Sequence, residues 1–133
     1  MSEENVELVR NAMERFRLDR REELIELIDP EFETTTPPSL SVEPDTYRGP
    51  DGVRRWWDAW EGTIDALRFE LNEAIDAGDR VVAVTRMVAR SRTTGIEFEQ
   101  AVTMVWTIRD GRAARLDAYP TREEGLRAAG VDG

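Results

Sequence analysis

The chain has 133 residues, with 18 basic and 28 acidic side chains and a formal net charge of −10 at pH 7. Every basic residue is arginine, and there is no histidine and no cysteine, which excludes disulfides, thiolate chemistry, the commonest general base and the commonest metal ligand. So acidic a chain opposes nucleic acid and anionic membrane as partners. The length fits a single domain, 1–133, with a real core. No run approaches the roughly 18 apolar residues of a membrane span, and the opening MSEENVELVR is acidic where a signal peptide would be basic and then apolar. A cytoplasmic protein is expected.

Val9, Ala12, Met13 and Phe16 recur at helical spacing behind Glu3 and Glu4, whose charge suits the positive end of a helix dipole. Leu24, Ile25, Leu27 and Ile28 predict a second short helix that Asp29-Pro30 stops, because proline disfavours helical geometry before it and lacks the donor to continue. Residues 31–36, EFETTT, read as a short strand. From Pro37 to Pro50 the chain carries four of its six prolines and little periodicity. This segment reads as a loop, placed to sit at a pocket mouth.

Gly49-Pro50-Asp51 opens a helix with proline in the first turn, where its missing N–H does no harm, and Gly62 closes it. Within it VRRWWDAW puts Val53, Trp56, Trp57 and Trp60 at i, i+3, i+4 and i+7, one apolar face, with Arg54, Arg55 and Asp58 around the rest. These indoles face inward, as core first, and as the wall of a ligand cavity if one exists. The period then changes to two, with Leu67, Phe69 and Leu71 alternating against Arg68, Glu70 and Asn72. Turns at Ala77-Gly78-Asp79, Thr94-Gly95 and Asp110-Gly111 separate long strands, the last turn being the strongest hairpin signal in the chain. Thr121-Arg-Glu-Glu124 matches a capping box ahead of Leu126 and Ala129. Helices first and hairpins after give an α+β class, with the helices on one face of a curved antiparallel sheet. In the strand from residue 96, Ile96, Phe98, Val102, Met104, Trp106 and Ile108 share the helix-covered face with a single polar residue, Gln100, while Thr103 and Thr107 lie on the other.

The segments ENVELVRNAMERF, ELIELIDPEFE, YRGPDGVRRWW, IDAGDRVVAVTR and VWTIRDGRAARLDAYPTREEGLRAAG, in this order, resemble the nuclear transport factor 2-like superfamily. They are most similar to its SnoaL-like branch, which includes polyketide cyclases and is related to ketosteroid isomerase. The resemblance implies a cystatin-like cone of curved antiparallel sheet closed by the N-terminal helices, with an apolar cavity inside. It implies no single reaction, since this fold hosts isomerases, cyclases, dehydratases, epoxide hydrolases and binding proteins.

Similar isomerases use a tyrosine on the first helix, an aspartate before a proline at the end of the first strand, and a protonated aspartate on the third long strand. Those places fall here on Ala12, on Thr36 before Pro37, and on Met104, where many SnoaL-like relatives carry histidine; none can do that chemistry. Similar cyclases use a carboxylate near the end of the last strand. The match is Asp117, with Thr121 as the other register, which reads better as a helix cap. An apolar setting would make Asp117 a usable base, whereas Arg115 or Arg86 beside it would make it half of an ion pair. The epoxide hydrolases of this fold need an arginine bridging two carboxylates, and no spacing here matches that.

Two readings stay open. One is an enzyme acting on a small apolar or carbonyl-bearing molecule, with Asp117 as acid or base and help from Tyr47, Tyr119 or Gln100. The other is a non-catalytic protein that binds a lipophilic ligand between Phe16, Trp56, Trp60, Met104 and Trp106. A homodimeric interaction module is a weaker alternative. No metal site and no cofactor is expected. A homodimer is expected through the weakly charged convex face, formed by Thr103, Val105 and Thr107 with Thr85 and Met87.

Overall fold

The computed structural model describes residues 2–35 and 45–131. In chain order these form α1 (Ser2–Arg15), a short 3-10 turn (Leu18–Arg20), α2 (Arg21–Ile25), β1 (Ile28–Thr35), β2 (Thr46–Arg48) and α3 (Gly49–Glu61). The strands β3 (Ile64–Ala77), β4 (Arg80–Ser91), β5 (Glu97–Arg109) and β6 (Arg112–Tyr119) follow, and then α4 (Arg122–Ala128). All strands join one curved sheet in the order β2-β1-β6-β5-β4-β3.

The hairpin signals act where the sequence places them. Asp110 and Gly111 take φ of 52° and 74° between the paired residues Arg109 and Arg112, which makes a type I′ turn whose twist matches its strands. The sheet is mixed where an antiparallel one is expected, because β1 runs parallel to β6. Tight turns force antiparallel pairing only between strands adjacent in sequence, and these two are far apart. The second helix ends at Ile25, and Ile28 already belongs to β1, which continues through Pro30. A proline is tolerated there because pairing with β6 is interrupted between Ile28 and Glu33. β2, inside the segment that reads as a loop, pairs with Glu33–Thr35 and is too short to show a period. Thr36, Pro37 and the rest of that segment up to Pro44 lie outside the described residues.

The main core fills the concave side of the sheet. Val9, Ala12 and Met13 of α1, Leu24 and Ile25 of α2, and Val53, Trp57 and Trp60 of α3 bury against Val81, Ala83, Met87, Met104 and Trp106. α4 departs from the expectation that all helices share one face. It lies on the convex side, where Leu126 packs with Val82 and Val105, flanked by Ile75, Val84 and Tyr119. The Thr121 hydroxyl caps α4 by accepting from the Glu124 amide at 3.1 Å, and Arg122 donates to both Glu73 carboxylate oxygens on β3. The convex face is thus partly covered by the chain itself, and Thr103 and Val105 are each 3% exposed. Two residues expected there lie on the other side. Thr85 pairs with Val102 and Met87 with Gln100 in unbroken register, and Met87 lines the cavity. The strand parity in β4 is one residue away from the expectation, and one residue reverses every side chain.

The approach of α4 depends on Gly125, where a Cβ would overlap the Thr103 methyl group. Gly125→Ala is therefore expected to destabilise the fold by about 1–2 kcal/mol in urea denaturation, overpacking outweighing the gain in helix propensity. Combining it with Thr103→Ser, which removes that methyl, should recover most of the loss; an equal loss in both backgrounds would contradict this packing.

Candidate functional site

The site is built from the residues that the concave side leaves incompletely filled. α3 supplies Val53, Trp56, Trp57 and Trp60, and Phe16 closes in from the end of α1. The sheet supplies Phe69, Met87, Val102, Met104 and Trp106 from β3, β4 and β5, and Phe32, Thr34, Leu116 and Ala118 from β1 and β6. Together with Leu24 and Ile28 they enclose a cavity of about 60 Å³, the space of roughly two water molecules and less than half of the ~150 Å³ that a buried benzene site needs. A larger guest must therefore displace side chains. Trp56, Phe69 and Ala118, the lining residues that remain partly exposed, mark where the cavity approaches the surface.

Aromatic rings fill most of this space. Trp56 meets Trp57 nearly edge to face, with centroids 4.9 Å apart, and lies 5.8 Å from Trp60. The indole N–H groups of Trp56, Trp57, Trp60 and Trp106 are all buried and have no hydrogen-bond acceptor among the described residues. A buried donor left unpaired costs about 1–3 kcal/mol, and ring faces compensate only weakly. Among the described residues the polar lining side chain besides them is Thr34, whose hydroxyl donates to the Leu116 carbonyl at 2.6 Å. Among the described residues no carboxylate or guanidinium lines the cavity.

Of the residues expected to bind a ligand, Phe16, Trp56, Trp60, Met104 and Trp106 are brought together in this wall. Tyr47, Gln100 and Tyr119 are not among the lining residues. Tyr47 is fully buried beneath Arg55, whose guanidinium carbon lies 4.2 Å from the ring centroid. Gln100 shares the cavity-side face but pairs with Met87 farther along β5 than the lining residues. Tyr119 lies against the convex cluster under α4, where burial first, and the Asp117 charge after it, raise its hydroxyl above the ordinary tyrosine value.

Asp117 is also placed on the convex side, opposite Val105. Arg115 Nε and Nη2 donate to its two oxygens at 2.8 and 3.0 Å, while Arg115 Nη1 donates to Glu33 at 2.9 Å. Bonding to Asp117, more than any other cause, holds the Arg115 guanidinium above its ordinary value. An arginine bridging two carboxylates is thus present after all, through a strand pair that no sequence spacing reveals, but it faces away from the cavity. The signal that could have placed Asp117 is its own alternation. Leu116 and Ala118 take the inward side of β6, and Arg115, Asp117 and Tyr119 the other. The same parity finds the lining residues Leu116 and Ala118 that the site expectation omits; Phe32, Thr34 and Phe69 follow likewise from alternation in β1 and β3. Of the familiar catalytic places, Ala12 is packed in the core and Met104 is a wall residue. Among the described residues no three carboxylates gather as a metal site would require.

A curved sheet wrapped around an apolar cavity and closed by helices is the nuclear transport factor 2-like architecture. The SnoaL-like domain model matches residues 9–116, and the chain belongs to that family. A nuclear transport factor 2-like protein of unknown function from Burkholderia pseudomallei is similar in structure, with a TM-score of 0.77 at 23% identity over 93% of this chain and 95% of that one. TerC, crystallised with polyporic acid, gives a TM-score of 0.78 at 21% identity over 96% and 98% of the two chains. A candidate SnoaL-like polyketide cyclase from Jannaschia sp. gives 0.75 at 15% identity over 96% and 92%. At such identities the likeness shows the fold. No curated protein matches the sequence. No helix among the described residues is long and apolar enough to cross a membrane.

Asp117→Asn tests the placement of that carboxylate. It should lower stability by up to about 1 kcal/mol, the range of a partly exposed ion pair, and leave the fluorescence of the cavity tryptophans unchanged. A shift of that fluorescence with no loss of stability would place the carboxylate in the cavity instead.

Proposed function

We propose that this SnoaL-like protein binds a small lipophilic molecule in the cone and does so without acid/base catalysis from its cavity wall. The observation that carries this reading is the composition of that wall: among the described residues it holds aromatic and aliphatic side chains with one hydroxyl, itself engaged, and no ionisable group. Cyclase-like or isomerase-like chemistry needs a proton acceptor within hydrogen-bond reach of the reacting atom, and Asp117 serves Arg115 on the far side of the sheet. The fold's capacity for organic guests is consistent with TerC having been crystallised with polyporic acid. A homodimer on the convex face would have to form around α4, which already buries Thr103 and Val105. The high negative charge supports neither nucleic acid nor an anionic membrane as a partner.

The test is to fill the cavity from the wall. Ala118→Leu is expected to fold normally and to weaken binding of small aromatic hydrocarbons, followed by tryptophan fluorescence, by about tenfold or more. Unchanged affinity in a folded variant would place the binding site elsewhere.

A further inference from the structure

Of the residues that line the cavity, Trp56, Phe69 and Ala118 remain partly exposed. Trp56 differs from the other two in its indole N–H, which is buried and has no acceptor among the described residues. Trp57, Trp60 and Trp106 share that feature, but each is at most 7% exposed and none stands at the surface. From this position we propose that Trp56 is the gate of the cone, its indole turning outward to admit a guest that then occupies the space the ring has left. The inference rests on the binding reading above and specifies how the site is entered and which side chain limits the size of the guest.

Three physical arguments single out this side chain. The empty space is about 60 Å³, too small even for a benzene, and a close-packed interior makes room only by moving a side chain. A large group must therefore leave the wall. Turned outward, the Trp56 indole loses its ring contacts with Phe16, Trp57 and Trp60 and gains water at a donor that is unpaired inside, two effects of the same order. The apolar area it gives up to water is offset by that of the guest. Phe69 would give up its own contact with Phe16 and has no polar atom to hydrate, and Ala118 is too small to vacate useful space. The motion is also local, because a long side chain on a helix has two favoured χ1 wells. Two of the three rings that Trp56 meets belong to α3 itself, and Val53, Trp57 and Trp60 keep that helix anchored in the core.

The experiment uses the full chain labelled with 5-fluorotryptophan, its four ¹⁹F signals assigned by single Trp→Phe variants, and indane as the probe. The displacement of each signal between light and heavy water reports how far that ring touches solvent. On saturation with indane, the Trp56 signal should acquire the displacement seen in the urea-unfolded chain, while Trp57, Trp60 and Trp106 stay buried. Opening lowers the apparent affinity by the open fraction, so Trp56→Ala, which has no ring to move, should take up indane about tenfold or more faster and bind it no less tightly. A fixed wall residue gives the opposite sign, since its removal costs contact with the guest. Trp56→Leu is the milder truncation if Trp56→Ala does not fold, and if neither folds the Trp56 signal of the unaltered chain decides. Indane bound with Trp56 still buried, or taken up no faster by the truncated variant, would overturn the gate and leave the binding reading intact. So would binding to the truncated variant alone, since the unaltered gate would then not open. Failure of indane to bind either protein would overturn both.

Discussion

The ring of Phe16 meets four other aromatic rings contributed by three separate elements. Its centroid lies 4.6 Å from Phe69 on β3, 5.5 and 5.6 Å from Trp57 and Trp56 on α3, and 6.4 Å from Trp106 on β5. Each such pair contributes about 0.5–1.5 kcal/mol beyond the area it buries, so one residue just beyond α1 ties α3 to β3 and β5. The size of the cavity follows from this contact. Rings that pack edge to face leave gaps smaller than themselves, and a close-packed interior enlarges such a gap only by moving a side chain.

Charge is arranged as the complement of that interior. The arginines pair with carboxylates on the outer surface, as Arg54 does with Glu22, Arg90 with Asp65 and Arg86 with Glu70. Exposed pairs of this kind contribute little to stability one by one. Their placement matters more, because these charged side chains stand outside the cone while the described residues of the wall include no ionisable group. Asp117 shows how sharp the division is. It is one residue from Leu116 and one from Ala118, both of which line the cavity, and the strand pleat alone sends it to the opposite face.

Periodicity makes much of this legible in the sequence. Val53, Trp56, Trp57 and Trp60 occupy one helical face, and Asp110-Gly111 marks its hairpin, because these features depend on local geometry alone. The features that periodicity misses depend on non-local pairing. The register of β4 against β5 decides whether Met87 faces inward, and the parallel alignment of β1 with β6 brings Glu33 to Arg115. The contact between Gly125 and Thr103, which seats α4 on the convex face, also joins residues distant in sequence. The resemblance to the SnoaL-like branch carries the fold over these gaps. It does not carry a reaction, since Ala12 and Met104 stand where similar isomerases place their hydrogen-bond donors.

A cavity wall whose described residues include no ionisable group has a consequence that one titration reads directly. The affinity for indane, itself uncharged throughout, should stay constant within about twofold from pH 5 to pH 9, because none of the described wall residues gains or loses a proton in that range. An affinity that changes about tenfold or more through a single apparent pKa between those limits would reveal an ionisable group coupled to the bound molecule, and would contradict a binding wall of uncharged side chains.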